Sequence, residues 1–267
     1  MDRATPAEPW QPRVEAALGH VDELRSLGPG IWRVVVGTNR LVVKTGAGVL
    51  DEAEGLRLLA RVADGPPVPA VVTVEPELLV TEWVEEGPRT PSHDDALGRS
   101  LGALHESPWP EWGGGSSWIG ACRVDPAPAP GGSEFYAARL VELASRCGLE
   151  RPAISLAERI GELLPPGRPA LVHGDLWWGN VLWGVDGRPW LIDPSVHGGH
   201  PEEDLAMLGL FGAVPVATLR AYSEVRPLQP GWERRVDLFR LYPLLVHTLL
   251  FDGGYRRRAE AILRRLA

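Results

Sequence analysis

One stretch of the chain concentrates residues able to do chemistry: His173-Gly174-Asp175-Leu176-Trp177-Trp178-Gly179-Asn180, followed by Leu191-Ile192-Asp193. An aspartate and an asparagine five residues apart on one loop, with a second aspartate just beyond a short hairpin, match the spacing that phosphoryl transfer to a hydroxyl uses. Asp175 would orient the attacking hydroxyl and accept its proton. Asn180 and Asp193 would supply an amide oxygen and a carboxylate, hard ligands suited to Mg²⁺ ions that neutralise the phosphates of ATP. Such a centre also needs a cation on the α- and β-phosphates and a carboxylate that holds this cation. Lys44 and Glu52 fill those places, with Glu54 as the alternative if the helix register slips.

Composition singles out Lys44 independently. Among 27 basic residues it is the one lysine, and Asn39 and Asn180 are the two asparagines. A codon bias toward Arg and away from Asn explains the background. A lysine kept against that bias points to a task arginine cannot perform, because an ammonium is a compact point charge and a guanidinium a broad planar fork.

The elements that must position these residues are legible in the pattern. Val21–Leu27, Ile31–Val36 and Leu41–Lys44 read as an antiparallel meander, and the Gly28-Pro29-Gly30 turn would cover the phosphates. Val49 to Ala63 reads as a helix on which Glu52, Leu56, Leu59 and Ala63 share one face, so the acid points inward. Two further strands, Ala70–Val74 and Leu78–Trp83, complete the sheet. The backbone of Glu82 and Val84, at its end, is the natural place for adenine to hydrogen-bond. Ser92 is placed to cap a helix running to His105. Residues 108–132 form a long Trp-, Gly- and Pro-rich loop. Helices are expected at Ser133–Cys147 and Ser155–Leu164, then a strand at 170–172 and an Asp186-Gly187 hairpin between Val181–Val185 and Pro189–Ile192. Helices finish the chain, the last of them Arg-rich. The fold class is thus α+β and protein-kinase-like, two-lobed, with a small antiparallel sheet and one helix over residues 1–84 and a larger, mainly helical lobe over 85–267.

Bulk properties narrow the functions. A net charge of −8 and pI ≈ 5.4 argue against a nucleic-acid partner. The late apolar stretch Leu241–Phe251 is interrupted by Pro243, His247 and Thr248, which argues against a membrane span. The N-terminal residues lack an apolar targeting segment, so a cytoplasmic protein is expected. Cys122 and Cys147 lie outside any metal-binding spacing and read as reduced thiols. A hydrolytic metal centre built from His173, Asp175, Asp193, His197 and His200 is the alternative chemistry, but it asks for imidazole ligation where the phosphoryl-transfer reading needs oxygen. A catalytically dead nucleotide binder would be expected to lose Lys44, Asp175, Asn180 or Asp193, and all are present.

The sequence resembles the fructosamine kinase (ketosamine-3-kinase) family, itself related to aminoglycoside phosphotransferases. The resemblance rests on Leu171-Val172-His173-Gly174-Asp175-Leu176-Trp177 with Gly179-Asn180, on Leu191-Ile192-Asp193-Pro194, and on Gly199-His200-Pro201-Glu202-Glu203-Asp204-Leu205-Ala206-Met207 with Leu210-Phe211-Gly212. Weaker echoes are Leu101-Gly102-Ala103-Leu104-His105, Ser117-Trp118-Ile119-Gly120, and Phe135-Tyr136 with Arg139-Leu140. The resemblance implies ATP-dependent phosphorylation of the 3-hydroxyl of a ketoamine sugar, giving an unstable product that releases the amine. It implies that Asp204 braces the catalytic loop, with His173 as a structural residue at the loop base. Trp177 and Trp178, lying between Asp175 and Asn180, read either as an aromatic wall for the substrate or as packing, and His200 is a further expected substrate contact. The chain departs from the family pattern in its short glycine turn, in Trp178 where a small residue is usual, and in Pro201 where Arg is usual. A tighter pocket favouring small free ketoamines over glycated protein is the expectation.

If the solitary lysine has this role, Lys44→Arg loses most phosphoryl-transfer turnover in an ATP-consumption assay; retention of most of it would refute the argument.

Overall fold

A computed structural model of the chain describes residues 8–251 and 253–267. The first seven residues, and with them the start of the expected targeting-free N-terminus, lie outside the described residues. Helix α1 (Gln11–Leu18) precedes five strands, β1 (Glu23–Gly28), β2 (Ile31–Val36), β3 (Asn39–Thr45), β4 (Val71–Glu75) and β5 (Leu78–Glu82), with α2 (Val49–Leu59) between β3 and β4. The sheet order is β1-β2-β3-β5-β4, antiparallel throughout. Alternation of side chains puts Val34, Val36, Leu41, Val43, Leu78 and Val80 into one apolar cluster, closed by Val14 of α1 and by Trp10, which precedes it.

The remaining elements are α3 (Pro91–Glu106), β6 (Trp118–Ile119), β7 (Cys122–Arg123), α4 (Gly132–Arg146), α5 (Glu150–Ala157), α6 (Ile160–Leu163), β8 (Ala170–Val172), β9 (Val181–Trp183), β10 (Pro189–Leu191), β11 (His197–Gly199), α7 (Glu202–Leu208), α8 (Val216–Val225), α9 (Trp232–Leu250) and α10 (Gly254–Leu266). β9 and β10 form the expected hairpin, and β8 pairs with β11. A second apolar cluster joins Val49, Ala53, Leu56 and Leu59 of α2 to Leu97, Leu101 and Leu104 of α3 and to Leu171, Leu176 and Val181 around the catalytic loop. The helix carrying Glu52 and the loop carrying Asp175 therefore share one core.

Several expectations needed correction. The cap of α3 is Thr90, not Ser92: Pro91 takes the first helical turn, where its missing N–H costs nothing, and the Thr90 N–H donates to His93 Nδ1 at 3.0 Å. The single helix expected at Ser155–Leu164 is two short ones, α5 beginning earlier, at Glu150. The loop at 108–132 contains the β6–β7 hairpin, and its Gly113 pairs with Gly198. Helix α9 runs through Pro243. Among the described residues no helix is long and apolar enough to cross a membrane. Both cysteines are free and buried.

Close helix contact depends on a glycine. A Cβ on Gly98 of α3 would lie 2.2 Å from the Thr218 carbonyl oxygen of α8. The glycine lets α8 sit near enough for Tyr222 to reach His105. On the other side, Glu202 of α7 is buried in a two-pronged ion pair with Arg235 of α9, at 2.6 and 2.8 Å. Removing one partner of such a pair strands a buried charge, at a cost of about 3–5 kcal/mol. Arg235→Ala should therefore lower unfolding stability by about that amount in a urea titration; an unchanged midpoint would contradict the pairing.

Candidate active site

Lys44 stands near the end of β3 and Glu52 in the first turn of α2, where they face each other. Lys44 Nζ donates to Glu52 Oε1 at 2.6 Å and also contacts the Asp193 carboxylate. Burial alone would push the ammonium's pKa down, but the two carboxylates hold it at about 12. Burial raises the pKa of Glu52, opposed by Lys44. Glu54 points to solvent, so the register places Glu52 on the lysine. Asp193 adopts a left-handed backbone, φ 56°, uncommon for a residue with a side chain. Strain of this kind gathers where a side chain must be aimed.

Asp175 and Asn180 form the second half. Asn180 Nδ2 donates to the Asp175 carbonyl at 2.8 Å and to its carboxylate at 3.4 Å. That orientation spends the amide's donor on the loop and leaves Oδ1 for another partner. Burial first, and then the nearby charge of Asp193, lift the Asp175 carboxyl to about 7. Ile192 N–H donates to the Asn180 carbonyl at 3.1 Å, tying the Asp193 segment to the loop.

The loop is held from below. Asp204 of α7 accepts from the backbone N–H groups of His173 at 2.7 Å and Gly174 at 2.9 Å. Its Oδ2 also takes a hydrogen bond from His105 Nε2 at 3.1 Å, and His105 Nδ1 is 2.9 Å from the Tyr222 hydroxyl. Burial would raise the Asp204 pKa, but the His105 hydrogen bond leads the effects that keep it low. Gly174 has φ 80°, and a Cβ there would fall 2.0 Å from the Ser195 carbonyl oxygen, so only glycine fits this turn. His173 itself is buried, with Nε2 3.0 Å from the Ile192 carbonyl oxygen.

A cavity of about 240 Å³ opens beside Lys44, Glu52 and Asp193, with Leu27, Ile31, Val42, Leu182 and Ile192 among its apolar walls. Glu82, Trp83 and Val84 line its rear edge, and the Val84 N–H makes no hydrogen bond among the described residues. Leu27 and Ile31, on either side of the Gly28–Gly30 turn, line this cavity, and the Thr45 N–H at the end of β3 donates to the Gly30 carbonyl at 2.9 Å.

The expected substrate contacts divide. Trp177 is 37% exposed beside the loop. Trp178 turns away to Arg89, whose guanidinium stacks on Trp178 and Trp183 at 4.5 and 4.6 Å. His200 is not brought to the cleft. It is buried and stacked on Phe239 at 5.1 Å, and burial lowers its pKa to about 4. The histidines of the hydrolase alternative are likewise committed to structural bonds: His197 Nδ1 lies 2.9 Å from the Ser195 carbonyl oxygen, its Nε2 2.9 Å from Arg139. Among the described residues no group of three or more His, Cys, Asp or Glu is gathered to hold a metal.

Sequence reasoning gave no role to Tyr136, Arg139 and Glu203, and gave His197 only a place in the hydrolase alternative; the four form one buried cluster. Tyr136 donates to Glu203, and both meet the His200 N–H at 2.8 Å. The signal was present: Arg139 sits on the apolar face of α4, with Tyr136, Leu140 and Leu143 at helical spacing. Arg89 had no such signal, since its partners come from distant segments.

A family model described as fructosamine kinase matches residues 10–267. A Synechocystis sp. protein named a probable ketoamine kinase is 35% identical over 205 residues, which cover 70% of this chain and 66% of that protein. The crystal structure of a Thermobifida fusca protein assigned as a fructosamine-3-kinase superposes with a TM-score of 0.88 at 34% identity, covering 97% of this chain and 98% of that one. An aminoglycoside phosphotransferase in complex with AMP-PNP and hygromycin B shares the fold, with a TM-score of 0.62 at 19% identity over 95% of this chain and 97% of that one. The architecture is α+β and protein-kinase-like, and the chain belongs to the fructosamine kinase family.

Proposed function

We propose that the protein transfers the γ-phosphoryl group of ATP to a sugar hydroxyl of a ketoamine, and that release of the amine follows as deglycation. The observation that carries this reading is the Lys44 ammonium, held between Glu52 and Asp193 at the edge of a cleft that the Asp175–Asn180 loop adjoins, in a chain of the fructosamine kinase family. In this reading Lys44 binds the α- and β-phosphates, and Glu52 keeps its ammonium in place when Asp193 turns to other work. Glu82 and Val84 offer backbone groups to adenine, and the Gly28–Gly30 turn covers the phosphates. Residues 1–84 and 85–267 are the two lobes, meeting at the Glu85–Thr90 link that Arg89 pins to Trp178.

Asn180 Oδ1 and the Asp193 carboxylate would hold Mg²⁺. The donor set fits a hard ion: both atoms are oxygens, and the Asn180 amide is turned so that its nitrogen serves Asp175. The ion would neutralise phosphate charge. Asp175 orients the acceptor hydroxyl and takes its proton. With Trp177 at the loop's open side, the sugar ring has an aromatic wall, whereas the position of Trp178 leaves it a packing role on the link. Small free ketoamines and glycated amines are both acceptors in this reading, since Trp178, from which a tighter pocket was expected, packs on the link.

A panel of ketoamines of ribose, erythrose and fructose type, read by ATP consumption, tests the assignment; turnover on aminoglycosides and on no ketoamine would replace it with the neighbouring kinase chemistry. Loss of a positioned base costs about 10²–10⁴-fold. Asp175→Asn should lower kcat by that order while ATP binding, followed by titration calorimetry, stays within a few-fold; near-normal turnover would contradict the role. Asp175 must be ionised to accept a proton, and its pKa is raised to about 7. Hence kcat/KM should climb as pH rises through about 7, and a flat profile between pH 5.5 and 8.5 would contradict it.

A further inference from the structure

We propose that an aromatic strip running outward from Trp177 is the subsite for the amine portion of the substrate, and that it selects ketoamines whose amine bears a neutral aromatic group. The proposal rests on the ketoamine kinase reading above. Three large aromatic side chains are exposed among the described residues: Trp177 at 37%, Phe211 at 42% and Phe251 at 53%. Exposed aromatics scattered singly would mean little, but these belong to one strip. Trp177 meets Phe211 edge-on at 5.8 Å, Phe211 meets Tyr255 at 6.2 Å, and Tyr255 meets Phe251 at 6.4 Å. His247 lies among them, 5.0–5.5 Å from Phe211, Tyr255 and Phe251. Its Nδ1 is 2.7 Å from the Pro243 carbonyl oxygen, which fixes the ring.

The strip begins two residues from Asp175 and draws on the segment after α7, the end of α9 and the start of α10. No single helical periodicity accounts for it, and its outer members gain little burial from one another. In a ketoamine the reacting hydroxyl sits on the sugar and the amine hangs from the sugar's end. With the hydroxyl at Asp175 and the sugar against Trp177, the amine substituent has to leave the site, and the strip continues the wall it leaves along. Edge-to-face arrays accept one more ring readily. A cationic amine tail fits less well, because Arg258 donates to the Leu210 carbonyl at 3.2 Å, next to Phe211, and brings positive charge to the strip.

The test compares kcat/KM of the full chain on three ketoamines of one sugar, made with ethylamine, 2-phenylethylamine and 1,4-diaminobutane. The phenylethyl compound should exceed the ethyl compound by about tenfold, the scale on which an apolar pocket discriminates, and the cationic one should not exceed the ethyl compound. Phe251→Ala should cut the phenylethyl-to-ethyl ratio several-fold; both rates come from one preparation, so partial loss of folded protein cancels. Equal rates on the two neutral amines, a preference for the cationic one, or a ratio untouched by Phe251→Ala would overturn the subsite, as would a strip that serves a second copy or a protein partner and so leaves the ratio at one. If no ketoamine is phosphorylated, the kinase reading itself falls, and this subsite with it.

Discussion

The ammonium of Lys44, pinned between carboxylates from α2 and from the segment after β10, is the contact on which the rest of the molecule turns. A buried cation is tolerable only when its charge is matched, and here two acids share the matching. The pairing joins sheet, helix and catalytic segment at one point. It also sets the electrostatics of its surroundings: Asp193 disfavours a second negative charge on Asp175, while burial does the larger part of the same work.

A second constraint acts from the opposite side of the loop. Asp204 gathers two backbone N–H groups and one imidazole, and that imidazole is held by Tyr222 on α8. Because α8 comes close where α3 carries Gly98 and Gly102, a helix–helix contact outside the cleft helps to position the catalytic loop. Asp175 and Asn180 are thereby set by the scaffold before any ligand arrives, which is the condition for a hydroxyl to be met in a productive orientation.

Much of this was legible in the residues. The period-2 strands, the inward face of Glu52 and the Asp175–Asn180–Asp193 spacing rest on local patterns that tertiary packing had no reason to override. Glu52 and Glu54 differ by two positions on a helix; the apolar stripe favours Glu52 but leaves Glu54 open to a slip of register, and the contact of Lys44 with Glu52 separates them. His200 misled because a histidine in a distinctive motif looks the same whether it faces substrate or Phe239. Trp177 and Trp178 could each be wall or packing in the sequence for a related reason: neighbours along the chain, they point to different partners, Trp178 to Arg89 and Trp177 to Phe211. The cap of α3 lies two residues before Ser92 because Pro91 occupies the first helical position. The pairing of β8 with β11 involves three residues on each side, too few to leave a pattern.

Five side chains converging on one triphosphate and its metal is the central claim, and a crystal structure of the protein with a non-hydrolysable ATP analogue and Mg²⁺ tests it most directly. The account predicts Lys44 Nζ on α- or β-phosphate oxygens with Glu52 still its partner, the metal on Asn180 Oδ1 and Asp193, and adenine against the Val84 N–H. Nucleotide bound elsewhere, or a metal held by His173 and His197, would contradict it.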